Sequence, residues 1–151
     1  MRSFLQEIKK TNDVFTVKKR VSTKYEIAAV TEKLDGSKAA LFENIKGNKF
    51  KLVSNLVGTR DRFAQAIGSK KSDINQKIVR AISSAKKPKI SASAKFFENS
   101  TNDISILPVV THFQNESGPF ITSSILYTKN QETKSQNSSI HRLMPLSLIH
   151  I

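Results

Sequence analysis

The chain contains no cysteine, which excludes disulfide scaffolds, thiolate zinc sites and cysteine nucleophiles together. Glycine is scarce, at five of 151 residues, and neither a P-loop nor a dinucleotide fingerprint can be assembled from so few. The three histidines, His112, His141 and His150, are too scattered for a local metal motif, and no segment has the form of a nucleophile elbow. No apolar run approaches the roughly 18 residues of a membrane span. Residues 1–10 read as an amphipathic helix without the apolar centre of a signal peptide, so a soluble cytoplasmic protein with no membrane partner is expected. Acidic residues are few, 12 against 25 Lys and Arg, for a formal charge of +13. With 38% hydrophobic residues and nine Phe there is enough apolar surface for a core, so the charge does not mark a disordered tail. The length allows one ordinary domain, or one domain and the opening of a second.

Hydrophobic spacing predicts a mixed α/β order without internal repeats. Ser3 with Gln6 forms a capping-box pattern ahead of a short helix over residues 3–10, and residues 14–21 are rich in β-branched side chains, as strands are. Thr23 with Glu26 is a second capping box, with Ile27, Val30 and Leu34 on one helical face until Asp35-Gly36 stops it. Residues 39–44 and 50–55 flank the turn signal Lys46-Gly47-Asn48 and read as a hairpin. Thr59 is placed to cap a helix burying Phe63, Ala66 and Ile67. Ser72 opens another helix, over residues 73–85, with Ile74, Ile78 and Ile82 four apart. The expected core comprises Ile27, Val30, Phe42, Leu52, Phe63, Ile67, Ile78 and Ile82. After Asn99 the composition changes: residues 120–128 and 136–144 are strand candidates around a polar loop, and a domain boundary is placed near Glu116.

Residues 70–95 hold eight Lys or Arg and one acid. A solvated helix face is favoured over a phosphate-binding one, because no aromatic platform is interleaved before Phe96 and Phe97. The alternative of a small basic nucleic-acid-binding protein is disfavoured further because 19 of the cations are Lys and no nucleic-acid module is legible. The ending Leu-Ser-Leu-Ile-His-Ile, residues 146–151, is what the codons CTG TCT CTT ATA CAC ATC encode. That string resembles a transposon end used in fragmenting DNA for sequencing, so these six residues are expected to be translated adapter.

Six blocks, in order over residues 4–145, carry a family resemblance. They are Tyr25-Glu26-Ile27-Ala28-Ala29-Val30-Thr31; Ala40-Leu41-Phe42-Glu43-Asn44-Ile45-Lys46-Gly47; Ser54-Asn55-Leu56-Val57-Gly58-Thr59-Arg60; Leu107-Pro108-Val109-Val110-Thr111-His112; Gly118-Pro119-Phe120-Ile121-Thr122; and Asn137-Ser138-Ser139-Ile140-His141-Arg142. Together they resemble the UbiD family of prenylated-FMN-dependent decarboxylases. The resemblance implies an α/β (α+β) chain: an N-terminal mixed α/β domain over residues 1–115, then over 116–145 the first hairpin of a truncated flavin-binding split β-barrel. It also implies roles for residues of the last block. Asn137 would ligate a divalent ion, Mn2+, that bridges to the flavin phosphate, with K+ as a further candidate ion. Asn137, Ser139, Ile140, His141 and Arg142 would bind the cofactor, and Arg142 would also be catalytic, since a guanidinium can hold a carboxylate by two parallel hydrogen bonds.

The parent enzyme would accordingly decarboxylate an unsaturated carboxylic acid without oxidation, as a homo-oligomer supplied with cofactor by a flavin prenyltransferase. The form Ser138-Ser139-Ile140-His141-Arg142-Leu143-Met144 looks more like archaeal members acting on trans-anhydromevalonate phosphate in isoprenoid biosynthesis. A polyprenyl-4-hydroxybenzoate decarboxylase of quinone biosynthesis is the alternative. The family's other metal ligands and its two catalytic glutamates would lie downstream, so the 151-residue chain is expected to be inactive by itself. Asn137 and Arg142 are five residues apart, so a regular strand would turn them to opposite faces unless a bulge intervenes.

Overall fold

Strand β2 (Ala39–Phe42) is buried along its whole length, with Ala39, Ala40 and Phe42 at 0% exposure. The computed structural model describes residues 2–86 and 98–146. The Ala-Ala-Leu-Phe sequence of β2 has no polar face, as a strand covered on both sides requires. Strand β1 (Val14–Val17) pairs with it in parallel, Val17 opposite Phe42. Helix α2 (Glu26–Lys33) lies on the connection, because parallel neighbours cannot be joined by a tight turn. Strand β3 (Leu52–Ser54) returns antiparallel, Leu52 opposite Phe42, giving the order β1-β2-β3. Gly47, at φ +72°, supplies the left-handed residue of the expected turn. Across this hairpin Lys51 donates to the Glu43 carboxylate at 2.8 Å, and that hydrogen bond holds the Glu43 pKa below the ordinary carboxylate value.

Val17, Val21, Ile27, Ala40, Phe42, Ile45 and Val110 form the main buried cluster, with Val30, Leu34 and Leu52 packed against it. Ala39 and Leu41 point to the other side of β2, and Ile8, Ala64 and Ile74 are the remaining buried apolar side chains among the described residues. Val110 brings the second half of the chain into the core. Its neighbour Thr111 donates to the Thr23 carbonyl and accepts from the Tyr25 N–H, both at 3.1 Å. From the same segment the Ile106 carbonyl accepts from the Asn48 side chain at 2.7 Å. Among the described residues no helix is long and apolar enough to cross a membrane.

Several expectations are corrected. Helix α1 is Arg2–Lys10, which puts Ser3 inside its first turn rather than at the cap. The first strand ends at Val17, and Val21 makes only an isolated bridge to Ile45. At the start of α2 the Thr23–Glu26 box is replaced. Tyr25 takes φ +69°, held by its bond to Thr111, and the Glu26 carboxylate instead accepts the Ser22 N–H at 2.7 Å. Helix α3 (Arg60–Ala66) buries Arg62 and Ala64, while Phe63 and Ile67 are half-buried and Ala66 is exposed. Helix α4 (Ile74–Ser83) follows a 3-10 turn over Lys71–Asp73 and buries only Ile74. Ile78 and Ile82, expected in the core, are 40% and 74% exposed, because the domain meets the helix at its first residue and nothing among the described residues covers the rest of the stripe. In the basic stretch Lys71 pairs with Asp61 and Lys77 donates to the Gly68 carbonyl, each at 2.8 Å; residues 87–97 lie outside the described residues.

The Thr59 cap is as expected: its hydroxyl accepts the Arg62 N–H at 3.2 Å. Thr59→Ala is expected to cost about 1 kcal/mol, read as a lower urea midpoint at unchanged m-value; an unchanged midpoint would show that the cap contributes nothing.

Candidate active site

The last described element is a two-stranded ribbon. Strand β4 (Ile121–Lys129) and strand β5 (Gln136–Leu143) pair antiparallel, from Lys129 opposite Gln136 to Ile121 opposite Leu143. Asn130 shapes the turn: its side-chain oxygen accepts the Glu132 and Thr133 N–H groups at 2.8 Å, and Lys134 takes φ +58°, the local pattern by which Asn competes with strand pairing. The ribbon joins the domain where the Phe120 N–H donates to the Val110 carbonyl at 3.1 Å. Beyond that junction it projects, with Ile125, Tyr127 and Ile140 67%, 75% and 80% exposed.

Register divides the candidate residues between two faces. From Asn137 opposite Thr128 to His141 opposite Ser124 the pairing is regular. Between there and Leu143 opposite Ile121, β4 advances three residues against two on β5. The bulge therefore lies in β4, around Thr122 and Ser123, and β5 keeps its alternation. Asn137, Ser139 and His141 share one face, and Ile140 and Arg142 the other. Ser139 is half-buried, while Asn137, Ile140, His141 and Arg142 are exposed. The Ser124 hydroxyl donates to the His141 carbonyl beside the bulge.

The Arg142 guanidinium lies over the Phe120 ring, 4.6 Å from its centroid, a contact that orients a cation and shields one of its faces from water. Phe120 also lines a groove of about 710 Å³ between the β3 side of the domain and the root of β4, with Leu52, Leu56, Val57, Val109 and Thr122. Among the described residues no Lys or Arg side chain lines it. At its edge Glu116 accepts the His112 N–H at 2.8 Å, and its carboxylate lies 3.9 Å from His112 Nδ1. Phe120 and Glu116 were not singled out from the sequence as partners of Arg142 and His112. The signal for Phe120 was its place just before a strand that pairs back on Arg142.

Two family models match the chain, in order: the 3-octaprenyl-4-hydroxybenzoate carboxy-lyase N-terminal domain over residues 5–82 and the Rift-related domain of the same carboxy-lyase over residues 84–150. The chain belongs to the UbiD family. Similar curated UbiD relatives include the anhydromevalonate phosphate decarboxylase of Methanothermobacter thermautotrophicus, 26% identical over 144 residues, and that of Methanosarcina mazei, 29% identical over 145. Each comparison covers 95% of this chain and 33% of the relative, so the chain spans about a third of their length. Among solved structures, the UbiD-class enzyme HmfF from Pelotomaculum thermopropionicum in complex with FMN superposes with a TM-score of 0.90 at 30% identity, over 95% of this chain and 34% of that one. A dimeric evolved form of HmfF in complex with prenylated FMN gives a TM-score of 0.82 at 27% identity, over 95% and 35%.

Proposed function

We propose that this chain is the N-terminal third of a cytoplasmic UbiD-type decarboxylase that uses prenylated FMN to remove carbon dioxide from an unsaturated carboxylic acid. The observation that carries the reading is the ordered match of both family models, the second of which contains the strand bearing Asn137 to Arg142. The residues present fit a phosphate-bearing flavin. Strands β4 and β5 contain no Asp or Glu and carry Lys129 and Arg142, so an anion bound along either strand meets no like charge from that strand. The chemistry supplied by bound prenylated FMN would be an electron sink for the loss of carbon dioxide. Asn137 would supply a hard amide oxygen to Mn2+ beside the flavin phosphate, with K+ as a second candidate ion. Among the described residues no group of three His, Cys, Asp or Glu side chains completes a metal site. Ser139, Ile140 and His141 would line the flavin, and Arg142 would orient the substrate carboxylate by its planar fork.

The substrate favoured by the curated relatives' names is anhydromevalonate phosphate, in a route to isoprenoids. The groove beside Phe120, with no Lys or Arg in its lining among the described residues, favours a second substrate, a polyprenyl-4-hydroxybenzoate, whose hydrocarbon tail needs an apolar channel. Purified full-length protein, loaded with cofactor by a flavin prenyltransferase and assembled as a homo-oligomer, should turn over one of the two. Carbon dioxide release from neither, with flavin bound, would reject both substrates.

Asn137→Ala in that holoenzyme is expected to reduce bound metal and flavin together, about 10-fold or more, with activity falling in proportion. Full metal and flavin in the variant would remove Asn137 from the metal site.

A further inference from the structure

Arg62 is the one charged side chain buried among the described residues, at 3% exposure. Its partners are three backbone carbonyls: Nε donates to Leu56 at 3.3 Å, Nη1 to Ser37 at 2.6 Å and Nη2 to Asn55 at 3.2 Å. Carbonyl dipoles compensate a buried cation less fully than a carboxylate would, so the arrangement is a costly means to stability alone. It does supply geometry. A planar guanidinium fans its donors in one plane, and here it ties the loop between α2 and β2 to the turn that follows β3.

That turn is interlocked from every side. Asn55 adopts φ +53°, its side-chain amide donates to the Thr31 carbonyl at 2.9 Å, and Thr31 and Ser54 share a hydroxyl bond at 2.8 Å. The Gly58 N–H donates to the Asn55 carbonyl at 3.0 Å. A Cβ on Gly58 would come within 3.2 Å of the Asn55 Cβ and carbonyl oxygen and 3.5 Å of Arg62 Nη2, so any larger residue there presses the turn apart by a few tenths of an ångström, through close approach rather than through its φ. Residues 52–58 form one wall of the groove whose other wall includes Phe120 and Thr122, and Phe120 carries Arg142. The Ser54-Asn55-Leu56-Val57-Gly58-Thr59-Arg60 block therefore has a physical role that the cofactor site does not absorb.

We propose that Arg62 is a positioning residue that holds the Asn55–Gly58 turn as the fixed wall of the groove facing Phe120, the ring on which Arg142 rests. Its effect on turnover rests on the decarboxylase reading; its effect on the turn does not. Without the guanidinium the Ser37 and Leu56 carbonyls lose their partner and recover hydrogen bonds by opening the turn to water.

The test combines amide hydrogen exchange with kinetics on the full-length holoenzyme, for Arg62→Lys, Arg62→Met and, from the opposite side of the contact, Gly58→Ala. Protection of the amide at position 58 is expected to fall about 10-fold or more in all three, while Leu41 and Phe42 in β2 keep theirs to within about threefold, since local opening and global unfolding are separable by exchange. KM for the acid is expected to rise more than kcat falls, with flavin content unchanged, because a displaced wall weakens ground-state and transition-state binding alike. An ammonium cannot bond three carbonyls in one plane, so Arg62→Lys should not rescue. The proposal is overturned if Gly58 stays protected in the Arg62 variants, if protection is lost uniformly across the sheet, or if KM is unmoved. If Arg62→Met does not fold, Gly58→Ala and Arg62→Lys decide by the same criteria. If wild-type protein binds flavin but decarboxylates nothing, the decarboxylase reading fails and the exchange pattern alone decides the role of Arg62.

Discussion

Arg142→Lys in the full-length holoenzyme should lower turnover by about 100-fold, the scale expected when a reacting group is misplaced by about 1 Å. The variant should still fold and retain its flavin, because the side chain is exposed on β5 and buries no core surface. The charge is kept, so whatever is lost is geometry: a lysine ammonium is a point charge on a flexible stem and cannot present two parallel N–H groups to a carboxylate. It also gives up the guanidinium's place over the Phe120 ring, 4.6 Å from the centroid. Phe120→Leu, which removes the aromatic platform and leaves Arg142 in place, should give a smaller loss in the same direction. Bound flavin, measured by absorbance, and decarboxylation rate would be read on the same samples. Wild-type turnover in Arg142→Lys at full cofactor would remove Arg142 from the carboxylate site.

Phe42→Ala should have the largest effect on stability, about 3–5 kcal/mol, a large share of the roughly 5–15 kcal/mol that holds a domain together. Phe42 is fully buried on the central strand, opposite Val17 in β1 and Leu52 in β3, so both neighbouring strands confine the cavity left behind. Ile82→Ala is the matched control. It removes a large aliphatic side chain, but one that is 74% exposed, and should change stability by less than about 0.5 kcal/mol. Urea denaturation followed by circular dichroism gives both values. A loss at Ile82 as large as that at Phe42 would mean that α4 is covered in solution.

Features that depend on neighbours along the chain were legible before folding. Helix and strand periods placed α1 to α4 and β1 to β5 in order. Lys46-Gly47-Asn48 marked the hairpin because a left-handed turn residue is a local requirement, and Thr59 marked a helix start because its hydroxyl reaches only its own first turn. The candidate site was legible because Asn137 to Arg142 lie within one strand, and the two-residue period of a strand already divided them between two faces. The chemical roles proposed for them rest on the likeness of that block to a family, since no charge pairing or metal spacing in the sequence announces them. Tertiary structure decided which apolar stripes are covered: Ile74, Ile78 and Ile82 have the same spacing and chemistry, yet only Ile74 meets the domain. It decided that the bulge falls in β4, that Tyr25 is twisted by its bond to Thr111, that Phe120 lies under Arg142, and that Arg62 is buried among three carbonyls. Periodicity encodes which side of an element is apolar. Burial and partnership depend on which distant segments arrive there, and that is set only when the whole chain packs.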